Sequence, residues 1–165
     1  MVDFRIGVGY DSHRFSPDAG RAFILGGVHI KNVSGLEGHS DADVLVHAII
    51  DALLGAAAMG DIGSHFPDTD EKWAGADSMK LLAAVMEEIF AAGWRVGNVD
   101  AVVICERPKL RPYIDLMRER IAAVLGVDCA AVSIKGKTNE KMDDVGAGVG
   151  VSVHAVALLK KENSK

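Results

Sequence analysis

The chain has 165 residues, of which 49% are apolar and 25% charged, so its composition is that of an ordinary globular protein with room for one substantial core. Its formal net charge of −5 argues against nucleic-acid binding, which usually requires a basic patch. The most apolar stretch, residues 44–59, is interrupted by His47 and Asp51, which argues against a membrane span, and two cysteines without a CxxC pair indicate a reducing, cytoplasmic setting.

Short extended segments open the chain. Residues 4–10 are rich in β-prone types and predict a strand. Two further β-prone runs, residues 22–25 and 28–30, flank a Gly26-Gly27 dipeptide, which is a hairpin signal because glycine adopts the positive φ angles of tight turns. We therefore expect a strand followed by a β-hairpin.

Helices and longer strands follow. Ser40 or Asp41 can cap a helix that runs to about Gly60, since short polar side chains satisfy the free N–H groups of a first turn. Residues 61–76 form a loop, and loops of that length usually have a function or are disordered. The remaining predicted elements are a helix at 77–92 capped by Asp77 or Ser78, a strand at 99–106, a helix from Pro112 to Gly126, and strands at 131–135 and 149–159 joined by residues 136–148.

The order of these elements predicts the fold class. Strands are mixed with helices, and the strand at 99–106 is apolar on both faces, which is typical of a central strand. We expect an α/β fold of the two-layer α+β kind, in which a mixed β-sheet carries helices packed on one face. No repeat or linker divides the sequence, so residues 1–165 are predicted to form a single domain.

Asp11, His13 and His47 are the strongest candidates for a functional site. Asp11 and His13 are two residues apart at the end of the first predicted strand, so their side chains point the same way. His47 lies in an otherwise apolar helix, where an unpaired imidazole would be costly. If His47 reaches the strand pair, two imidazoles and one carboxylate form a set that zinc favours while a fourth position stays open. The alternative for Asp11 is a turn in which it caps backbone amides.

Polar residues on the long helix support the same site. Asp43, His47 and Asp51 recur every four residues and form one stripe on a helix otherwise made of Val, Leu, Ile and Ala. A solvent-facing stripe is the alternative, but a stripe one residue wide is narrow for that. We expect Asp43 or Asp51 to hold the imidazole of His47 from behind as a metal binds in front.

Two donor-rich segments are candidates for phosphate contacts. His39-Ser40-Asp41 lies where a loop enters a helix, and free N–H groups at a helix start attract phosphate, although plain capping is the simpler alternative. Residues 135–141 include Gly136-Lys137-Thr138, but Ala131 stands where a P-loop requires glycine, so that motif is absent. The segment is then either a loop rich in hydrogen-bond donors, in which Glu140 can bind a cation, or a solvated charged turn.

Several motifs occur in order along almost the whole chain: Gly9-Tyr10-Asp11-Ser12-His13, Gly26-Gly27-Val28, His39-Ser40-Asp41-Ala42-Asp43, residues 51–63, Phe66-Pro67-Asp68-Thr69-Asp70, Gly75-Ala76-Asp77-Ser78, Gly97-Asn98-Val99-Asp100, Pro108-Lys109 and Thr138-Asn139-Glu140-Lys141. Together they resemble the motifs of the 2-C-methyl-D-erythritol 2,4-cyclodiphosphate synthases. The resemblance is to the monofunctional form, which has no fused cytidylyltransferase domain.

The resemblance implies a lyase of the non-mevalonate route to isoprenoids. In that family the 2-phosphate of 4-diphosphocytidyl-2-C-methyl-D-erythritol 2-phosphate attacks the β-phosphorus of the same molecule, closes a cyclic diphosphate and expels CMP. Because both reacting groups belong to one substrate, holding it folded supplies much of the rate, with effective molarities on the order of 10⁵ to 10⁸ M. The remaining need is charge neutralisation, and no general acid or base is required.

The resemblance also implies roles for particular residues. The ligands of one zinc ion (Zn²⁺) per site would be Asp11, His13 and His47. Glu140 would bind magnesium or manganese as a second cation, and His39 and Thr138 would stabilise the transition state as catalytic residues. Substrate contacts are implied for Ser12, Ser40, Asp61, Ile62, Gly63, Phe66, Pro67, Asp68, Thr69 and Asp70. Nucleotide contacts are implied for Cys105, Pro108, Lys109, Leu110, Arg111, Gly136, Lys137, Thr138 and Asn139.

A homotrimer with a site between each pair of subunits is a further implication, as are a bacterial-type cytoplasmic location and no nucleic-acid or membrane partner. After Lys141 the family usually continues Leu-Gly-Phe and soon an arginine, which faces a cavity on the three-fold axis and can hold an isoprenoid diphosphate. This chain has Asp144 at the aromatic position and Ala147 at the arginine position. The catalytic positions do not depend on this segment.

Two other functions stay open on the residues alone. A zinc-dependent phosphoester hydrolase would use metal-bound hydroxide and give a linear product that carries solvent oxygen. A non-catalytic metal-binding protein would bind zinc without turnover, but that function leaves Pro108-Lys109 and the segment 138–140 without a purpose.

Overall fold

The structure, a computed structural model, describes residues 4–161. Its helices and strands are, in chain order, β1 (Phe4–Arg14), β2 (Phe23–Leu25), β3 (Val28–Ile30), α1 (Val44–Ala57), α2 (Ile62–His65), α3 (Ser78–Ala91), β4 (Trp94–Ile104), α4 (Ile114–Leu125), β5 (Val132–Lys137), α5 (Asp143–Gly146) and β6 (Gly150–Lys161). The predicted single domain includes both chain ends, which lie outside the described residues, and it stays a prediction.

Four strands form one mixed sheet in the order β1-β6-β4-β5. β6 pairs antiparallel with β1 on one side and with β4 on the other, whereas β4 and β5 run parallel. A parallel pair needs a crossover connection, and α4 lies within the connection between these two strands. β2 and β3 form a separate antiparallel hairpin around the glycine pair. The predicted mixed sheet and the predicted hairpin are both confirmed.

Helices cover one face of this sheet. α1 lies against β1, β6 and β4, α3 lies against α1 and β4, and α4 lies against α3 and β5. Alternate residues of β6, from Val151 to Leu159, are buried because they face these helices. The two-layer arrangement with helices on one face is therefore the observed one.

The opposite side of the sheet is apolar and open along β1. We call it the outer face and define it by Phe4, Ile6, Val8 and Tyr10 of β1 together with Val156 of β6. The four β1 side chains are each more than half exposed, and Val8 is paired with Val156 in the sheet register. Apolar side chains that are contiguous and exposed in this way are typical of a surface that another protein covers.

β4 and β5 are longer than predicted. β4 begins at Trp94, five residues before the predicted start, because a register shift between Val96 and Asn98 leaves Gly97 as a bulge within the strand. β5 continues to Lys137, which pairs with the last residue of β4. β4 lies between β6 and β5, so its prediction as a central strand is confirmed.

The start of α1 differs from the prediction. Neither Ser40 nor Asp41 is the N-cap; Asp43 is, and the helix ends at Ala57 rather than near Gly60. All three polar residues are suitable caps by type, so the choice among them depends on contacts outside the segment.

Those contacts come from the β2–β3 hairpin. The buried carboxylate of Asp43 accepts N–H groups from Val46 at 3.1 Å, from Gly26 at 2.9 Å and from Gly27 at 2.7 Å. Gly26 and Gly27 have φ angles of 58° and 70°, a conformation that glycine adopts without strain. Burial raises the pKa of Asp43, although the three N–H groups oppose that rise. One carboxylate thus joins the hairpin turn to the first turn of α1.

The later helices end as predicted, but α4 begins at Ile114 rather than at Pro112, which lies in a 3₁₀ turn over Arg111–Tyr113. Asp77 caps α3 by accepting the N–H of Met79 at 2.9 Å, and Gly126 ends α4 in the left-handed conformation. The predicted loop at 61–76 contains α2, which Asp61 caps. Over the described range 4–161, no helix is both long and apolar enough to cross a membrane. The cytoplasmic location stays a prediction.

Candidate functional site

The site begins where β1 crosses α1. A Cβ atom on Gly9 would collide with the backbone carbonyl of Ala48, and one on Gly7 would collide with α1 one helical turn further on. Only glycine permits so close an approach. The next residue on the same face of β1 is Asp11, so its carboxylate meets α1 at the level of His47.

Asp11, His13 and His47 converge at this crossing. Oδ2 of Asp11 lies 2.9 Å from Nε2 of His13 and 3.1 Å from Nδ1 of His47. One ligand atom from each residue lies within 4.8 Å of the others. Zinc with tetrahedral bonds of about 2.0–2.1 Å needs ligand atoms about 3.3 Å apart, so small side-chain shifts bring the set to that geometry. The prediction that His47 reaches the strand pair is confirmed.

Each imidazole is also held through its second nitrogen. Nδ1 of His13 donates to the backbone carbonyl of Glu37, so Nε2 is the nitrogen that faces Asp11: it donates to the carboxylate when the ring is protonated and offers a lone pair when the ring is neutral. Nε2 of His47 lies 2.9 Å from Oγ of Ser78 and 3.2 Å from Oγ of Ser40. Such partners orient the rings of metal-binding histidines, so the donor set fits a divalent cation.

The charge of Asp11 agrees with that use. Burial alone would raise the pKa of Asp11, but hydrogen bonds and charge interactions with His13 and His47 outweigh burial and hold this pKa well below its usual range. Burial alone would lower the pKa of His13, but the carboxylate of Asp11 outweighs it and raises that pKa. Asp11 is therefore an anion, as a metal ligand must be.

The prediction that Asp43 or Asp51 holds His47 is wrong. Asp43 is occupied by the hairpin turn, and Asp51 accepts the N–H of Ile62 at 2.8 Å. Four-residue spacing aligns Cβ atoms along a helix, but it does not fix where the carboxylates turn. The group behind His47 is instead Ser78, the first residue of α3.

The three residues open into a cavity of about 370 Å³, which we call the β1–α1 cavity. Besides the trio, it is lined by Gly38, His39, Ser40, Asp51, Ile62, Phe66, Asp68, Trp73 and Leu81. The predicted catalytic residue His39 and four predicted substrate residues are thus brought to the trio, whereas the predicted catalytic residue Thr138 is not. Trp73 was not predicted, because a single aromatic residue in a loop has no periodic signal; its ring contacts Phe66 edge-on, with centroids 4.9 Å apart.

The other predicted substrate residues do not line this cavity. Asp61 caps α2 through the N–H of Ser64 at 2.8 Å. The residues Gly63, Pro67, Thr69 and Asp70 belong to the same segment of chain. Ser12 is on the other side of β1 from its two neighbours and lines a different, smaller cavity with Arg14.

A second cavity, of about 290 Å³, lies at the ends of β4 and β5, and we call it the β4–β5 cavity. It is lined by Cys105, Glu106, Pro108, Lys109, Leu110, Arg111, Ile114, Gly136, Lys137 and Thr138. All predicted nucleotide residues except Asn139 are among them. The N–H of Asn139 instead donates to Glu106 at 2.7 Å.

Glu140 is on the β4–β5 side of the molecule. It is exposed, has a φ angle of 51°, and accepts the hydroxyl proton of Thr138 at 2.9 Å. The two predicted cation ligand sets therefore belong to different regions of one chain.

The two cavities are at the same end of the sheet but at opposite edges. His13 of β1 pairs with Val151, and Ile104 of β4 pairs with Ser152, so both strands end beside the start of β6. β1 and β5 are the two edge strands, three strand spacings apart, which is about 14 Å. Within one chain, the predicted substrate residues and the predicted nucleotide residues stay separate.

The sheet order and the trio define an α/β protein in which a candidate cation site and a second, separate cavity lie at opposite edges of one sheet. The sequence model of the YgbB family matches residues 4–160, and the chain belongs to this family.

Relatives of known name match over the whole length. The 2-C-methyl-D-erythritol 2,4-cyclodiphosphate synthase of Thermosynechococcus vestitus is 58% identical over 160 residues, with 97% of this chain and 98% of that protein covered. The synthase of Acaryochloris marina is 55% identical over 163 residues, with 99% and 100% covered. The family resemblance predicted from the motifs is therefore confirmed.

Solved structures of this family have the same fold. The complex of IspF from Plasmodium falciparum with CDP matches with a TM-score of 0.85 at 35% identity, over 98% of both chains. The bifunctional IspDF from Campylobacter jejuni matches with a TM-score of 0.92 at 38% identity, over 97% of this chain and 43% of that one.

Proposed function

We propose that this protein converts 4-diphosphocytidyl-2-C-methyl-D-erythritol 2-phosphate into 2-C-methyl-D-erythritol 2,4-cyclodiphosphate and CMP, in the non-mevalonate route to isoprenoids. The observation that carries the proposal is the convergence of Asp11, His13 and His47 in a chain more than half identical to synthases of that name. The enzyme is a lyase that closes a ring within its substrate.

The β1–α1 cavity holds the methylerythritol phosphate end of the substrate in this proposal. Zinc bound by the trio would supply a Lewis-acid centre for a phosphoryl oxygen. His39 and Ser40, which line the same cavity, donate hydrogen bonds to phosphate oxygens there. Phe66 and Trp73 form an apolar wall that limits the access of water, so the substrate's own phosphate is the nucleophile.

The β4–β5 cavity holds the cytidine end. Lys109, Arg111 and Lys137 bring positive charge to it, and a diphosphate is the part of the substrate that needs such charge. Glu140 would bind magnesium or manganese, and the hydroxyl of Thr138, which donates to Glu140 in this structure, would then donate to the leaving phosphate. The solved complex of the Plasmodium falciparum relative with CDP supports a nucleotide site in this fold.

A substrate that uses both cavities requires more than one chain. The cavities are at opposite edges of the sheet, so the β1 edge of one subunit must meet the β5 edge of the next. A contact between two different surfaces of the same chain closes into a ring when its rotation allows. We propose a homotrimer with one site at each junction, in which the apolar outer face is buried; the number three comes from the family resemblance.

The product distinguishes this function from its alternatives. Protein supplied with zinc and magnesium is incubated with the substrate in water enriched in ¹⁸O, and the expected products are CMP and a cyclic diphosphate without solvent oxygen. A linear product that carries ¹⁸O would establish the phosphoester hydrolase instead. Zinc binding without turnover of this substrate would support the non-catalytic metal-binding protein.

Removal of one imidazole tests the trio directly. His13→Ala is expected to lose zinc and to lower turnover by about 10²- to 10³-fold or more, because charge stabilisation in the transition state is lost. His29→Ala is the control, since His29 lies exposed on the hairpin. Elemental analysis that finds equal zinc in His13→Ala and the wild type would contradict the ligand assignment.

A further inference from the structure

We propose that Ser78 and Asp41 are positioning residues, which fix the imidazole of His47 in the one tautomer that can bind the cation. This inference rests on the proposed metal function of the trio. It assigns a purpose to the Asp-Ser contact between the loop before α1 and the start of α3, a contact that the proposed reaction does not otherwise use.

Ser78 is bound to Asp41 through two hydrogen bonds. Its hydroxyl donates to Oδ1 of Asp41, and its backbone N–H donates to Oδ2 at 3.0 Å. The side chain of Ser78 is completely buried, so no solvent competes for this proton. A carboxylate can only accept, and a hydroxyl has one proton, so the proton of Ser78 is directed at Asp41.

The orientation of that hydroxyl determines the state of His47. Oγ of Ser78 then presents a lone pair to Nε2 of His47, 2.9 Å away, and Nε2 must carry the ring proton to satisfy it. The lone pair of a neutral imidazole is consequently on Nδ1, which faces Oδ2 of Asp11 at 3.1 Å. Nδ1 and the carboxylate are two electron-rich atoms that a divalent cation can join.

Ser40 does not provide the same control. Its hydroxyl oxygen is 3.2 Å from Nε2 of His47, further than that of Ser78, and it also accepts the N–H of Ala42 at 3.2 Å. Ser40 lines the β1–α1 cavity, where its own proton is available to a ligand. The buried serine with a carboxylate behind it is therefore the residue that sets the tautomer.

The same contact holds the loop that carries His39 and Ser40. The N–H of Asp41 donates to the carbonyl of Ala76 at 3.1 Å, and the N–H of Gly75 donates to the carbonyl of His39 at 2.9 Å. Residues 39–41 and 75–78 are thus bonded along their length. A change at Ser78 acts on the ring of His47 through a scaffold that stays bonded elsewhere.

Zinc affinity of the purified full chain, stripped of metal and titrated against a chromophoric chelator, tests the proposal. Ser78→Ala is expected to weaken zinc binding about ten- to a hundredfold, which is the usual effect of removing a partner behind a metal-binding histidine. Ser78→Thr keeps the hydroxyl and is expected to bind nearly as well as the wild type. Asp41→Ala is expected to weaken binding too, because Ser78 becomes free to donate to Nε2 and reverse the tautomer.

Asp77→Ala is the matched control. It removes the cap of α3 one residue before Ser78 without touching His47, so it should lower the thermal midpoint of unfolding and leave zinc affinity unchanged. A loss of affinity in Asp77→Ala equal to that in Ser78→Ala would overturn the proposal, since a loosened helix start would then explain both.

NMR spectra of the histidine side chains distinguish an effect on the tautomer of His47 from a general loss of stability. In the zinc-loaded wild type, histidine ¹H–¹⁵N spectra should show the Nε2 proton of His47 protected from solvent exchange, and Ser78→Ala should lose that protection. Tight zinc binding by both proteins with equal protection would overturn the positioning role and leave the proposed function intact. A wild type that binds no zinc would remove the metal centre itself, and both proposals with it.

Discussion

Asp11 lies between two imidazoles, and each imidazole is supported from behind by a different kind of acceptor. His13 uses the backbone carbonyl of Glu37, which no substitution removes, whereas His47 uses the side chain of Ser78. The proposed metal site can therefore be adjusted by substitution behind His47 but not behind His13. Variation of zinc affinity should follow changes around His47.

The buried thiol of Cys105 gives a second residue-level prediction, which concerns the pH dependence of its alkylation. Burial raises the pKa of its thiol to about 11, so the reactive thiolate is scarce below that pH. In a Cys129→Ala background, alkylation at pH 8 should be about a hundredfold or more slower than for a free thiol, and it should rise about tenfold per pH unit up to pH 10. Mass spectrometry of the labelled protein measures this. Cys105→Ala, which keeps the less buried Cys129, is the control, and equal labelling rates at pH 8 would contradict the assignment.

Sequence patterns predicted the trio but not its surroundings. Alternation along a strand places Asp11 and His13 together, and the cost of a buried imidazole marks His47. The contact between His47 and Ser78 joins residues 31 positions apart on two helices, and no local pattern encodes it. Asp51 does not hold His47 as predicted, because helical periodicity gives the direction of a Cβ atom and not the partner of a carboxylate.

At the scale of elements, local signals gave the type of each segment, and tertiary contacts gave its ends. α3 ends where Gly93, at a φ angle of 77°, allows the chain to turn, as its sequence predicts. α1 begins at Asp43 because the amides of Gly26 and Gly27 bind that carboxylate, and these lie in another element. β4 starts earlier than predicted because Gly97 forms a bulge, and residues 94–96 before the bulge continue the pairing with β6.

Two glycine substitutions test the contact between β1 and α1. Gly9→Ala forces β1 away from Ala48, so we expect about 1–3 kcal/mol of lost stability, the usual cost of overpacking, and weaker zinc binding as Asp11 leaves His47. Gly55→Ala is the control on α1, where the nearest atom to a new Cβ is 3.8 Å away; it should stabilise the protein by about 0.5–1 kcal/mol. Chemical denaturation and zinc titration measure both effects. Wild-type stability in Gly9→Ala would show that the strand is not held closely against the helix.

At the scale of the whole molecule, the two sides of the sheet have different roles. Its helix side carries the trio and the core, and its outer face is apolar and exposed. In the proposed trimer, the two cavities at opposite edges give a single chain half of a site at each edge. Folding of one chain and completion of the site are thus different events, and they should be separable by mutation.

A double substitution on the outer face tests that separation. Ile6→Lys with Val8→Lys places two charges where each native side chain is more than two-thirds exposed, so the fold should survive while the subunits repel each other. Sedimentation should report a monomer that still binds zinc but has lost turnover. Leu116→Lys, on the exposed side of α4, is the control and should stay a trimer. A monomeric double variant with full turnover would show that one chain completes the site.

The alternation within β1 limits how this strand can change over evolutionary time. Gly7, Gly9, Asp11 and His13 face α1, while Val8 and Tyr10 between them belong to the outer face. Residues 11–15 are held by bonds to Glu37, His47 and Val149, so loss of Tyr10 would shift the residues ahead of it by one position, turning Ile6 and Val8 towards α1 and Gly7 and Gly9 outwards. A side chain at the Gly9 position would collide with Ala48 and push β1 away from His47. Substitutions can therefore adjust β1 one position at a time, but loss of a single residue would disturb the core, the proposed metal site and the outer face at once.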